Sequence, residues 1–295
     1  MLTILRDAGL SALIPSDSSL ERVCDGFQFT EGPLWLPEDD ALLFQDLKAE
    51  RTYRAGADGK VGVVRENTGA ANGQTFASDG SIVFCEQNGR RVSRMSAEGT
   101  EIRTLVESFE GKRLNSPNDI VASAEGMLYF TDPPYGAPPD RPLRFQGVYA
   151  VSLDGSLRLL ADDFEKPNGL AFSPDGKTLY VCDTAKYHVR AFDVAPDGSL
   201  VAGSNRVFAT LDPTEPGGPD GMKVDREGRI YVAVAQGIWV FEPGGRLLGI
   251  LATPKRPSNL AWSGAKADTL AITAVDSVYR VRWNVSGFPP PFQPS

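Results

Sequence analysis

Short runs in which hydrophobic and polar residues alternate follow one another along the chain, separated by turns rich in Asp, Gly and Pro. Period-two alternation of this kind reads as β-strand with one buried face. The runs recur in a fixed order. Six times a polar handle opens the pattern, at Glu31-Gly32, Asn72-Gly73, Asn118-Asp119, Asn168-Gly169, Asp220-Gly221 and Asn259-Leu260. First strands then fall at Pro33 to Leu36, Gln74 to Ala77, Ile120 to Ala122, Leu170 to Phe172, Met222 to Val224 and Leu260 to Trp262. Second strands fall at Leu42 to Asp46, Ile82 to Glu86, Leu128 to Asp132, Leu179 to Asp183, Ile230 to Val234 and Leu270 to Thr273. Third strands fall at Thr52 to Ala55, Val92 to Met95, Val148 to Val151, Val189 to Phe192, Ile238 to Phe241 and Val278 to Val281.

Successive handles lie 39 to 52 residues apart, the length of a propeller blade of four short strands. The pattern therefore predicts an all-β chain folded as a six-bladed β-propeller of four-stranded antiparallel blades. Asp79-Gly80, Asp154-Gly155, Asp175-Gly176 and Asp197-Gly198 supply hairpin turns that need positive φ. The sixth blade lacks a fourth strand of its own, because Asn284 to Ser295 carries four prolines. Leu20 to Cys24, ahead of the first handle, is the natural substitute. The N-terminal segment is thus expected to close the ring by pairing into the last blade, making residues 1–295 a single domain.

Composition fits that picture. The chain is 41% hydrophobic, with 30 Gly and 22 Pro, enough for a core and for many turns. Met1 to Ser19 lacks a basic leader followed by a sustained apolar stretch, so no signal peptide or membrane span is expected and the default compartment is cytoplasmic. Cys24, Cys85 and Cys182 cannot all pair, and two of them fall in second strands of different blades; reduced core thiols are expected. A formal charge of -8 argues against nucleic acid and anionic membranes as partners. A monomer or weak homodimer is expected.

Candidate chemistry lies in the handles. First strands of a propeller line its central channel, so residues opening them converge on the axis at one face. All six handles open with Glu, Asn or Asp. Asn and Asp before Gly are also common turn formers, but six such residues at equivalent positions describe a set of converging oxygen ligands. With one histidine in the chain, the set suits a hard divalent cation, Ca²⁺ first, with Mg²⁺, Mn²⁺ or Zn²⁺ possible occupants. Glu31 and Asp220 would balance its charge, and Asn118 and Asn168 would complete the shell.

At these residues the sequence resembles a known family. The strings FTEGPLW, NSPNDI, FTDPPYG, KPNGLAFSPDGKTLY and GGPDGMKVD, spread from Phe29 to Arg282, are similar to the gluconolactonase branch of the family that also holds senescence marker protein and luciferin-regenerating enzyme. The resemblance implies a six-bladed propeller with a divalent ion at the channel mouth and, in many members, hydrolysis of sugar lactones. It also implies metal ligation by Glu31, Asn168 and Asp220, with Asn118 a fourth ligand or a substrate contact and Asp220 the base or nucleophile. One departure is Gln87, where gluconolactonase-like chains often place a His after Glu86.

Strand direction places further residues on the metal's face, because loops joining second to third strands, and those entering each handle, must lie there. Glu86, Asp132, Tyr135, Asp183, His188, Arg113 and Asn115 fall in this group. Of these Glu86, Asp183, Tyr135, Arg113 and Asn115 are, with Asn118, the candidate substrate contacts. Pro133 to Gln146, with five prolines and two arginines, is expected to lie over the mouth as a semi-rigid lid. The expected substrate is a small hydroxylated lactone, hydrolysed with a divalent metal. The alternatives are another metal-dependent hydrolase such as a phosphotriesterase, the architecture of diisopropyl fluorophosphatase being similar, or a non-catalytic binding propeller with a structural ion.

Overall fold

The computed structural model describes residues 2–96, 99, 101–214 and 217–294. The extreme residues of the expected 1–295 span thus lie outside the described residues. Six four-stranded antiparallel sheets follow one another around an axis as the blades of a β-propeller. The first blade pairs Thr30–Leu36, Ala41–Asp46, Arg51–Gly56 and Val61–Glu66 in simple meander order. The next three repeat it, with inner strands Ala71–Phe76, Ile120–Ala122 and Pro167–Phe172. The fifth, built on Met222–Val224, gains a short fifth strand, Ile4–Leu5, antiparallel to Leu247–Ala252. The sixth takes Asn259–Ser263, Thr269–Ala274 and Ser277–Arg282, and its outer strand is the N-terminal Glu21–Asp25. Ring closure is therefore as the sequence predicts, one residue displaced. One 3-10 turn, Leu10–Leu13, is the helical element among the described residues, and none of their helices is long and apolar enough to cross a membrane.

The apolar core is divided. Six buried clusters form, one at each junction between neighbouring blades, such as Val83, Cys85, Ile120, Leu128 and Tyr149 between the second and third. This follows from strands buried on both faces, with side chains of one blade meeting those of the next. The three cysteines are free, Cys85 and Cys182 inside these clusters and Cys24 at the closing strand. The handle end of the central channel is left to polar residues.

Handles sit differently from the sequence expectation. In four blades the handle lies inside the inner strand, and in three of these the ladder slips around it: pairing is irregular between Glu31 and Leu34, Ala71 and Gln74, and Pro167 and Leu170. Such a bulge re-aims a side chain away from the ladder. The handle glycines serve close approach more than turn geometry. A Cβ on Gly73 would fall 2.2 Å from an Asp119 oxygen, and one on Gly169 would fall 2.3 Å from the Asp220 carbonyl. Gly73 and Gly169 instead donate their N–H groups to the Asn118 and Asp220 carbonyls of the following blade, at 2.9 and 3.1 Å. The inner strands are thus tied to one another around the ring.

The chain's last segment crosses the far end of the channel. Phe288 N–H donates to the Val224 carbonyl at 3.0 Å and Gly287 packs on the Trp262 ring, where a Cβ would overlap it. Phe288, Pro289, Pro290 and Pro291 then line a ≈ 70 Å³ apolar cavity beneath the inner strands, with Trp35 and Trp262.

Candidate active site

At the opposite end the handles build a cavity of ≈ 220 Å³ lined by Glu31, Asn72, Asn118, Asn168, Asp220, Phe29, Leu47, Lys48, Gln87, Tyr135 and Arg256. Five of the six handles contribute their first residue. The sixth, Asn259, lies deeper: its Nδ2 donates to the Asp119 carboxylate at 3.3 Å and its Oδ1 faces the Lys223 ammonium at 3.5 Å. Asp119, which stands where four other handles carry Gly, therefore spans the channel beneath the cavity floor.

Carboxylates are crowded here. Glu31 is 4% and Asp220 8% exposed. Burial raises the Glu31 carboxyl well above its usual range, and the charges of Asp220 and Asp119 push it further. Burial likewise holds Asp220 up, to about 7, while Arg256 and a hydrogen bond with Asn168 pull the other way. Asp119 is raised by burial and restrained by Lys223. Like charges gathered out of water in this way favour a cation among them.

The amides are turned to suit one. Asn168 donates through Nδ2 to Thr184 Oγ1 at 3.0 Å, with the Tyr135 hydroxyl at 3.4 Å, so its Oδ1 is kept as an acceptor. Thr184 in turn donates to the Pro219 carbonyl at 2.7 Å, which fixes the segment entering Asp220. Asn72, 2% exposed, has an Oδ1 with no hydrogen-bond partner, a costly arrangement for a buried oxygen. An all-oxygen set of two carboxylates and several amides fits a hard divalent cation. Among the described residues no three His, Cys, Asp or Glu side chains gather into a metal-holding group, so the amides are needed to complete a shell.

Tyr135 enters the cavity wall from the Pro133 to Gln146 segment, whose Leu143 is 2% exposed and packs into the core cluster between the second and third blades. Gly136 N–H donates to Ser116 Oγ at 2.8 Å. The segment is thus anchored as a side wall. Gln87, the departure noted in the sequence, also lines the cavity.

Four candidate substrate contacts are placed elsewhere, and this corrects the reading from strand direction. Asp183, 1% exposed, accepts from the backbone N–H groups of Glu165, Lys166, Ala185 and Lys186 at 2.9 to 3.4 Å. It binds the segment that enters the Asn168 handle. Asp132 does the same for Asn115 and Ser116 at 2.8 and 2.6 Å, and Asp46 for Gln28 and Phe29. Asn115 is fully buried, with Nδ2 on the Asp132 and Phe145 carbonyls. Glu86, 1% exposed, accepts from Arg91 Nε at 2.8 Å. Arg113 is exposed, paired with Glu107 and donating to the Gly89 carbonyl. None of the four lines the cavity. They end second strands or precede handles, so they reach the right face, but Asp183, Asn115 and Arg113 bond loop backbone and Glu86 bonds Arg91. His188 also lies outside the lining, with its pKa lowered by burial and no partner for Nε2.

Residues missed by sequence reasoning are Lys48 and Arg256, in a loop joining second to third strand and in a segment entering a handle; Asn72 was read as one of the six converging handles without being singled out as a ligand. Arg256 Nη2 lies 3.6 Å from Asp220 Oδ2.

Residues 29–276 match the family described as SMP-30/Gluconolactonase/LRE-like region. The sequence is 30% identical to the gluconolactonase of Zymomonas mobilis, covering 94% of this chain and 85% of that protein. It is 25% identical to a pentonolactonase of Haloferax volcanii, covering 82% and 80%. Among solved structures, a gluconolactonase of Xanthomonas campestris superimposes with a TM-score of 0.87 at 35% identity, covering 96% of this chain and 95% of that one.

Proposed function

The chain belongs to the SMP-30/gluconolactonase/LRE-like family, and from that premise we propose that it hydrolyses a sugar lactone to the aldonic acid with one divalent cation, Ca²⁺ in first place, at the channel mouth. The observation that carries this reading is the convergence of Glu31, Asn118, Asn168 and Asp220 on a single cavity. These four would hold the ion, with Asn72 Oδ1 a further oxygen within the same wall. When bound, such an ion polarises the lactone carbonyl toward attack.

The chain's own groups do the rest. Asp220 takes a proton from water at a carboxylate oxygen as that water's oxygen bonds to the carbonyl carbon, and the proton is then delivered to the ring oxygen as the ring C–O bond breaks. Arg256 faces that carboxylate and favours its ionised form. Asn168, held through Nδ2 by Thr184, keeps its position during the exchange. The Tyr135 and Gln87 side chains offer hydrogen bonds to ring hydroxyls, and Phe29 and Leu47 cover the apolar part of the ring. Polar walls of this type select hydroxylated rings, because an unmatched buried donor or acceptor costs about 1–3 kcal/mol.

The test is acid release from glucono-1,5-lactone, above its spontaneous hydrolysis, by protein stripped with chelator and then given Ca²⁺, Mg²⁺, Mn²⁺ or Zn²⁺ singly. Turnover restored by an ion and absent in Asp220→Asn supports the reading. Faster turnover of a phosphotriester than of any lactone would replace it.

A further inference from the structure

We propose that the lactone accepted by this site carries a second, negatively charged substituent, a carboxylate or a phosphate, received between Lys48 and Arg256. The proposal rests on the lactonase reading and narrows its substrate class. Four charged residues line the cavity: Glu31 and Asp220, both buried, and Lys48 and Arg256, both exposed at the rim. A divalent cation held by the two acids balances them. Below the floor, the Asp119 carboxylate is matched by the Lys223 ammonium, to which it is joined through Asn259. Counting the ion, the described lining then carries an excess of two positive charges, in a chain whose formal net charge is -8.

Neither makes a hydrogen bond among the described residues. Lys48 has no carboxylate within ion-pair distance among the described residues; its ammonium sits 5.4 Å over the Phe29 ring, which is itself part of the cavity wall. Arg256 forms an ion pair with Asp220, whose 3.6 Å separation is longer than a hydrogen bond and leaves the guanidinium N–H donors unspent. Its guanidinium therefore offers a planar donor fork at the rim, the geometry that receives a carboxylate or phosphate through two parallel hydrogen bonds. A neutral sugar lactone would leave that fork and the ammonium unmatched.

The experiment has two readouts. Calorimetric titration of glucarate, 6-phosphogluconate, gluconate and sorbitol into the metal-loaded protein measures charge selection without turnover. Glucarate or 6-phosphogluconate is expected to bind tenfold or more tightly than gluconate, and which one does so separates carboxylate from phosphate. That preference should collapse in Lys48→Met and Arg256→Met, survive in Lys48→Arg, and shrink as salt is raised. In parallel, kcat/KM is compared for glucaro-1,4-lactone, 6-phosphoglucono-1,5-lactone and glucono-1,5-lactone, with the anionic rings expected ahead by a similar factor. Equal binding of gluconate, glucarate and 6-phosphogluconate overturns the proposal while leaving the lactonase reading intact if glucono-1,5-lactone is turned over. A preference for the doubly substituted anion that is lost in Lys48→Met, with no lactone hydrolysed, upholds the anion pocket and overturns the lactonase reading.

Discussion

At the scale of single residues, the handles divide into those that face a ligand and those that hold the scaffold. Asp220→Asn and Glu31→Gln are each expected to lower kcat/KM for a lactone at least a hundredfold and to weaken metal binding in a titration, while circular dichroism stays that of the parent. Full activity in either would remove the site assignment. The same carboxyls set a pH dependence. Asp220 and Asp132 are both raised to about 7, chiefly by burial, from an unfolded value of 3.8. A raised carboxyl stabilises the fold while protonated, and that contribution is lost as pH climbs through its folded value. Chelated protein should therefore melt at a lower temperature at pH 8 than at pH 5, and added Ca²⁺ should offset much of the loss. Lowered surface carboxyls such as Asp154, at about 2, act only below about pH 4 and do not enter this window. Protons compete with the ion for the same oxygens, so apparent metal affinity should rise with pH up to about 7. The handles were legible because they recur. Asp183 and Asn115 were not read correctly, because strand direction fixes which end of a blade a residue occupies and says nothing of whether its oxygen meets a cavity or a loop N–H. Lys48 and Arg256 left no repeat to find, since each belongs to one loop.

At the scale of elements, the inner strands carry the site because three handles bulge out of the ladder, Asn118 and Asp220 stand just ahead of their strands, and the handle glycines let neighbouring strands touch. The Cβ added by Gly169→Ala would strike the Asp220 carbonyl at 2.3 Å. That change should cost about 1–3 kcal/mol, as overpacking does, and also lower activity, because the atom struck belongs to the residue proposed as the base. Chemical denaturation read beside turnover would check both effects; unaltered stability would show that the blades do not need this contact. Strand positions were readable from alternation to within a few residues, as at Ile82–Glu86 and Leu128–Asp132. The glycines were not readable in the same sense. In sequence Asn-Gly is a turn signal, and only the neighbouring blade reveals that close approach is what demands it. The Pro133 to Gln146 segment was visible as an insertion, but buried Leu143, which makes it a wall, looks like any other loop leucine in sequence.

At the scale of the whole molecule, closure depends on Glu21–Asp25 pairing with Ser277–Arg282. Removing residues 2–25 should expose that edge and shift the protein from a single species to aggregates in size-exclusion chromatography; a monodisperse truncated protein with native melting would contradict it. This closure was legible because the count of strands came out one short at the C-terminus. The short pairing of Ile4–Leu5 with the fifth blade was not, since two residues carry no period. The segment that lacked a strand has a different use: Phe288 to Pro291 cover the end of the axis opposite the site, while Asp119, Asn259 and Lys223 fill the passage between. The propeller is consequently a cup with one opening. Reactant and product must use the same doorway, one after the other, so the released acid should inhibit by simple competition with the incoming ring, and a crowded rim would slow departure as much as arrival.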